Sequence, residues 1–216
     1  MIPIGDDDSA RRITPMVTYL LIALNVIFFF LEMSGGNAFI EKWAFVPKQF
    51  LADPSKEFPT LFTSMFMHAG WLHLLGNMLY LWIFGDNIED RFGHSKFTLF
   101  YFLCGLGATF AQLAFNSDSN IPNVGASGAI AGVLGSYILL YPQGKIKVLA
   151  GQGVIYAPAL LVIGLWIILQ LFSGFGSLQN TGQEQGGIAY MAHIGGFATG
   201  LLLTFLFRGQ GSMQRV

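Results

Sequence analysis

Apolar residues in this chain gather in long blocks free of charge, and polar positions separate the blocks without alternating inside them. The charge-free runs are 13–31, 58–85, 97–117, 119–144, 148–183 and 185–207. A helix needs roughly 20 predominantly apolar residues to cross the hydrocarbon core of a bilayer. Each run is long enough for one crossing, and none is long enough for two crossings and a turn. The longest, 148–183, ends in a Gly-rich polar stretch from Ser173 to Gln183 that reads as loop. The pattern therefore predicts an all-α, polytopic bundle of six transmembrane helices over 13–207. Tails of 1–12 and 208–216 flank it, and the connection 33–58 is the one long loop. The first run is not a cleaved signal: it exceeds the typical apolar core of about 7–15 residues, and no A-x-A site follows. The acidic start Asp6–Asp8 argues the same way.

Composition supports a membrane protein. Of 216 residues, 53% are hydrophobic and 11% charged, against about 25% charged in an ordinary soluble domain. That is too little charge to cover a soluble exterior. The net charge of −1 excludes nucleic acid as a partner, because binding a polyanion takes clustered Lys and Arg. Cys104 is alone, so no intramolecular disulfide forms, and it reads as a small packing residue of the third helix. Basic residues set the orientation. With the N-terminus cytoplasmic, Arg11, Arg12, Arg91, Lys96, Lys145, Lys147, Arg208 and Arg215 lie inside, and only Lys42, Lys48 and Lys56 lie outside. Both termini are then cytoplasmic. Loop 33–58 carries Trp43, Phe45, Phe50 and Phe58, which suits a segment lying in the headgroup region; a folded external loop without lipid contact is an equal reading.

Polar residues at membrane depth are costly and face the bundle interior, so the few present are informative. The second helix holds His68, His73 and Asn77; the fourth opens with Gly125-Ala-Ser127-Gly128; the sixth holds Tyr190 and His193. In the six-span topology these three helices all run from outside to inside. His73, Ser127 and His193 fall in their first turns, which places all three near the outer face. Gly128 and Gly132 on the fourth helix and Gly196 and Gly200 on the sixth form two small-xxx-small pairs. Such pairs let helix backbones approach closely in lipid, and they would bring Ser127 toward His193.

A serine hydroxyl becomes a nucleophile when a base removes its proton, and neutral imidazole can do so and later protonate the leaving amine. Ser127 sits at a helix start, where backbone N–H groups lack intrahelical partners and the helix dipole favours negative charge. Asn77 and His73, four residues apart on one helix face, can also donate to an oxyanion. No Asp or Glu lies in the spans near His193, so a triad is not expected. Tyr190, one turn before His193, is the candidate for orienting its ring. His68 reads as structural, bonding loop backbone near the outer surface. Glu89 and Arg91 tie down the inner end of the second helix. A bland reading of Ser127 is a helix N-cap; the company of His193 and the His73/Asn77 pair outweighs it.

Three strings carry a family resemblance: His68-x4-His73-x3-Asn77, Gly125-Ala-Ser127-Gly128-x3-Gly132, and Ala192-His193-x2-Gly196-x3-Gly200. Together with the stretch from Leu74 to Gly93, they resemble the rhomboid family of intramembrane serine proteases, in particular its prokaryotic members. The likeness runs over almost the full chain. It implies Ser127 as nucleophile and His193 as general base and acid. It also implies His73, Asn77 and the Ser127 amide as the oxyanion hole, a water-filled cavity open to the outside, and no cofactor or metal. Substrates would be transmembrane proteins cleaved after a small residue near the outer end of their helix, in the cell membrane, with loop 33–58 partly in the outer leaflet. Two positions depart from the family pattern. Phe58-Pro59-Thr60 stands where many members have Trp-Arg, and Ala131 stands where many have a Tyr that packs on the histidine. Tyr190 is expected to take over that role.

Other readings fit less well. Ser127 lacks the G-x-S-x-G spacing of an α/β-hydrolase, because Gly128 comes one residue early. HExxH is absent, and Asp86 has no second buried aspartate for an aspartyl protease. A six-helix transporter or channel would spread its polar residues through the bilayer depth and show repeat symmetry, neither of which is seen. A non-catalytic membrane-protein chaperone related to the family would usually lack the serine or the histidine. No feature of the sequence specifies an oligomeric state.

Overall fold

A computed structural model describes residues 2–7, 9, 11–151, 153–179 and 189–208. The expected tail 209–216 with Arg215, the end of the Gly-rich stretch at 180–183, and Asp8 lie outside the described residues.

A short strand, β1 (Ile2–Gly5), is followed by α1 (Met16–Trp43), α2 (Pro47–Ala52), α3 (Pro54–Glu57) and α4 (Thr60–Thr63). A single 3-10 turn over Ser64–Phe66 leads to α5 (Trp71–Phe92), α6 (His94–Phe115) and α7 (Ser127–Leu140). Strands β2 (Lys145–Ala150) and β3 (Gly153–Pro158) precede α8 (Ala159–Gln179) and α9 (Tyr190–Phe207). Among the described residues, four helices are long and apolar enough to cross a membrane: α1, α6, the 159–176 part of α8, and α9. The expected count of six is therefore not reached on length and composition. α7 has 14 residues, below the roughly 20 a crossing needs. α5 has 22 residues but carries Asp86, Glu89, Asp90 and Arg91 near its carboxyl end.

Two charge-free runs and the long loop divide differently from expectation. Run 58–85 is not one helix. α4, the 3-10 turn and an extended segment come first, and α5 starts only after Gly70. His68 consequently lies ahead of the helix, not on it. α5 then continues past the charged residues because its three carboxylates find partners. Asp86 accepts from Arg11 at 2.6 Å. Asp90 accepts from the backbone N–H groups of Arg12 and Ile13, both at 2.8 Å. Glu89, fully buried, accepts from Val17 N–H at 2.9 Å and from the N–H and hydroxyl of Thr18, each at 2.7 Å. A carboxylate from α5 thus serves the amino end of α1, where unpaired N–H groups and the helix dipole favour an anion.

Run 148–183 opens as a hairpin, with α8 following it. The three strands form an antiparallel sheet in the order β1-β2-β3. Ile2 faces Leu149 and Gly5 faces Lys147, with an irregularity between Pro3 and Gly5, and β2 meets β3 from Lys145/Pro158 to Ala150/Gly153. Residues 2–5 of the expected tail are therefore structured. Just beyond β1, Asp6 accepts from the Tyr137 hydroxyl of α7 at 2.7 Å and from the Asn87 amide of α5 at 2.8 Å.

Loop 33–58 is largely helical. α1 runs through it to Trp43, kinked at Gly36 (φ 59°, ψ −149°), a backbone state that favours glycine. The loop's centre is held down by Phe45, which exchanges backbone hydrogen bonds with Asn123 at 3.3 and 2.7 Å, and Ala44, Phe45 and Val46 are buried. It therefore packs on the segment that leads into α7. The core is built around α7, whose residues from Gly128 to Tyr137 are all buried.

Candidate active site

Close backbone approach sets the site. A Cβ on Gly196 of α9 would collide with the carbonyl oxygen of Gly128 on α7, and one on Gly200 would collide with that of Gly132. On α7 itself, a Cβ at Gly128 would strike Ala108 and one at Gly132 would strike Cys104, both on α6. The four glycines thus let α7 and α9 meet backbone to backbone, with Ala108 and Cys104 of α6 packed against Gly128 and Gly132.

At the upper end of this contact, Ser127 Oγ lies 2.8 Å from His193 Nε2. Ser127 is the first residue of α7 and His193 the fourth of α9. Gln112 of α6 accepts from the Ala192 N–H at 3.2 Å, steadying the first turn of α9. On its other side the imidazole Nδ1 lies 2.7 Å from Gln170 Oε1 on α8. An amide oxygen accepts only, so Nδ1 carries the proton and the Nε2 lone pair faces the serine hydroxyl. The Trp166 ring lies 5.7 Å from the imidazole, inclined by 40°. The expected orienting role of Tyr190 does not match this geometry. Tyr190 makes no ring contact with His193 among the described residues; its Cβ instead lies in the region where α9 meets Gly174 of α8. The cause is the position of α8, whose face with Trp166 and Gln170 occupies the edge of the imidazole away from Ser127.

His73 and Asn77 meet the site through Gly125. Its φ of +128° favours glycine, and a Cβ there would stand 2.8 Å from His73 Cε1 and 3.6 Å from Asn77 Nδ2. The Gly125 N–H donates to the Ser64 carbonyl at 2.9 Å, fixing the strand of chain before Ser127. His73 Nδ1 accepts from the Ala69 N–H at 3.4 Å, which leaves Nε2 as the ring donor on the Gly125 side. The Asn77 amide nitrogen is buried without a hydrogen-bond partner among the described residues. Ser127, Gly128 and Ala129 form the first turn of α7, whose N–H groups have no carbonyl four residues back within the helix.

His68 does not line this group. Its backbone N–H donates to Glu32 at 2.9 Å and its ring stands edge-on to His73 at 5.1 Å. It backs the His73 ring. Beside Ser127 is a cavity of ≈ 20 Å³, lined among others by Ser64, Gly105, Ala108, Thr109, Asn123 and Ala192. That is room for about one water, and the walls are mostly small side chains. Gln170 and Trp166 are the site residues sequence reasoning missed. Their four-residue spacing, which puts both on one helix face, was the available signal.

Residues 55–210 match the family described as Rhomboid domain. The chain is 40% identical over 129 residues to Rhomboid protease GluP of Bacillus subtilis, covering 59% of this chain and 24% of that protein. It is 35% identical over 150 residues to RHOMBOID-like protein 1 of Arabidopsis thaliana, covering 68% of this chain and 34% of the relative. To Rhomboid protease GlpG of Klebsiella pneumoniae it is 27% identical over 192 residues, 88% of this chain and 62% of the relative. The chain thus spans between a quarter and three fifths of the length of these relatives. Their likeness and the apolar helices make it a multi-pass membrane protein.

Proposed function

The chain belongs to the rhomboid family, and on that premise we propose that it is an intramembrane serine endopeptidase acting through a Ser127–His193 dyad. The observation that carries the reading is the 2.8 Å contact between Ser127 Oγ and His193 Nε2, with the lone pair of Nε2 turned to the hydroxyl. His193 takes the serine proton as Oγ attacks the scissile carbonyl, and the imidazolium returns it to the departing amine. Water then enters, His193 takes one of its protons, and the acyl-enzyme is hydrolysed.

The oxyanion that forms in each half is met by the Ser127 N–H, the Asn77 amide and the His73 ring. Asn77 supports this role because its buried amide nitrogen has no other partner among the described residues. Substrates are transmembrane proteins, surrounded like the enzyme by membrane lipid and cut near the outer end of their helix. The small-walled cavity beside Ser127 favours a small residue at the cleavage point. Six helices cross the cell membrane in this reading, with both termini cytoplasmic and the dyad near the outer face, as the distribution of Lys and Arg supports.

The test uses purified full-length protein in liposomes with a model transmembrane substrate. The parent cleaves it and is labelled by a fluorophosphonate; Ser127→Ala and His193→Ala do neither. Cleavage by Ser127→Ala at the parent's rate would sink the assignment.

A further inference from the structure

We propose that Gln170 is a positioning residue for the dyad, a neutral third member that fixes the tautomer and direction of His193; this rests on the protease reading of Ser127 and His193. Gln170 Oε1 lies 2.7 Å from His193 Nδ1. An imidazole with both nitrogens free splits between two tautomers, and only the one protonated at Nδ1 can accept the serine proton at Nε2. An acceptor that carries no hydrogen of its own selects that tautomer. In the familiar triad an aspartate does this and also stabilises the imidazolium. Gln170 supplies the first function without placing a charge among apolar helices, where an unpaired carboxylate would be costly.

The rest of the α8 face supports the assignment. Trp166, four residues before Gln170, lies against the same imidazole. At Gly174, four residues after it, α8 packs closely on α9: a Cβ there would stand 2.8 Å from Met191 and 3.1 Å from Ile194. The stripe 166, 170 and 174 is therefore the seam between α8 and α9, and the amide sits in its middle. Leu165, Ile168, Leu169 and Phe172 turn outward and exposed.

The test compares the full-length parent, Gln170→Leu, Gln170→Glu and Ser127→Ala in the same micelles. It reads the rate of fluorophosphonate labelling and the kcat and KM for a transmembrane substrate. Gln170→Leu keeps the bulk and loses the acceptor, and is expected to lower kcat and the labelling rate by about 10², the cost of a misplaced catalytic group, with KM unchanged. Gln170→Glu keeps an acceptor oxygen and is expected to recover most of that loss. Labelling of Gln170→Leu within about threefold of the parent would overturn the inference while leaving the dyad intact. Equal losses in the Leu and Glu variants would also overturn it, reducing the amide to a packing group. A parent that neither labels nor cleaves would instead defeat the protease reading itself.

Discussion

Gly196 on α9 lies so close to the carbonyl oxygen of Gly128 on α7 that no side-chain atom fits between them. The Ser127–His193 contact is built just above this point, so the separation of two helix backbones sets the separation of nucleophile and base. Gly196→Ala is expected to push α9 away, costing about 1–3 kcal/mol, as overpacking typically does, and to slow serine labelling more than tenfold. Thermal unfolding in micelles and labelling kinetics check it. Gly164→Ala is the control, since a Cβ there meets nothing within 4 Å; it should leave both readouts unchanged.

The donors around the developing oxyanion give a second prediction. Asn77→Ala should lower kcat by about 10²–10³, the usual cost of one oxyanion donor, with KM little altered. Gly125→Ala should match or exceed that loss by a different route. At φ +128° an alanine is strained, and its methyl group would press on the His73 ring. Steady-state kinetics on both variants decide the point; an Asn77→Ala enzyme with parental kcat would remove that amide from the mechanism.

At the other end of the molecule, Glu89 accepts three hydrogen bonds from the first turn of α1. Glu89→Ala leaves buried donors without partners, each worth about 1–3 kcal/mol. The expected result is a loss of about 3 kcal/mol or more in unfolding free energy, with poor accumulation of protein in the membrane. Asp90→Ala, whose partners are exposed or half-buried backbone groups, should cost less. Equal unfolding profiles for the two variants would show that burial of the carboxylate does not matter.

Asp6 and Tyr137 allow a cleaner measurement, because a double-mutant cycle isolates their interaction. Asp6→Ala and Tyr137→Phe should each destabilise the protein. Their combination should cost about 1.5–3 kcal/mol less than the sum, the range for a hydrogen bond to a charged group. Serine labelling at saturating probe should be unaffected, since the pair lies at the far end of α7.

Much of this architecture was legible in the residues. Long charge-free runs marked the apolar helices, and the glycine pairs at 128/132 and 196/200 announced a close crossing of two of them. What stayed hidden has particular causes. Charges at 86–91 read as the end of a helix, whereas α5 continues through them because Arg11 and the start of α1, some 75 residues earlier, supply partners. The sheet was invisible because Ile2–Gly5 is four residues long and pairs with a strand more than 140 residues away. Gln170 escaped notice because a neutral amide inside an apolar run carries no charge or motif. Only the position of α8 beside α9 gives it a meaning.

The brevity of α7 has one last consequence. Fourteen residues rise about 21 Å, roughly 9 Å less than a typical ~30 Å hydrocarbon thickness. With its lower end tied near the sheet through Tyr137, this rod stops partway up and is walled by its longer neighbours. In the proposed orientation, Ser127 at its start would then lie below the ends of those neighbours, at a depth that water entering from the outer side could reach.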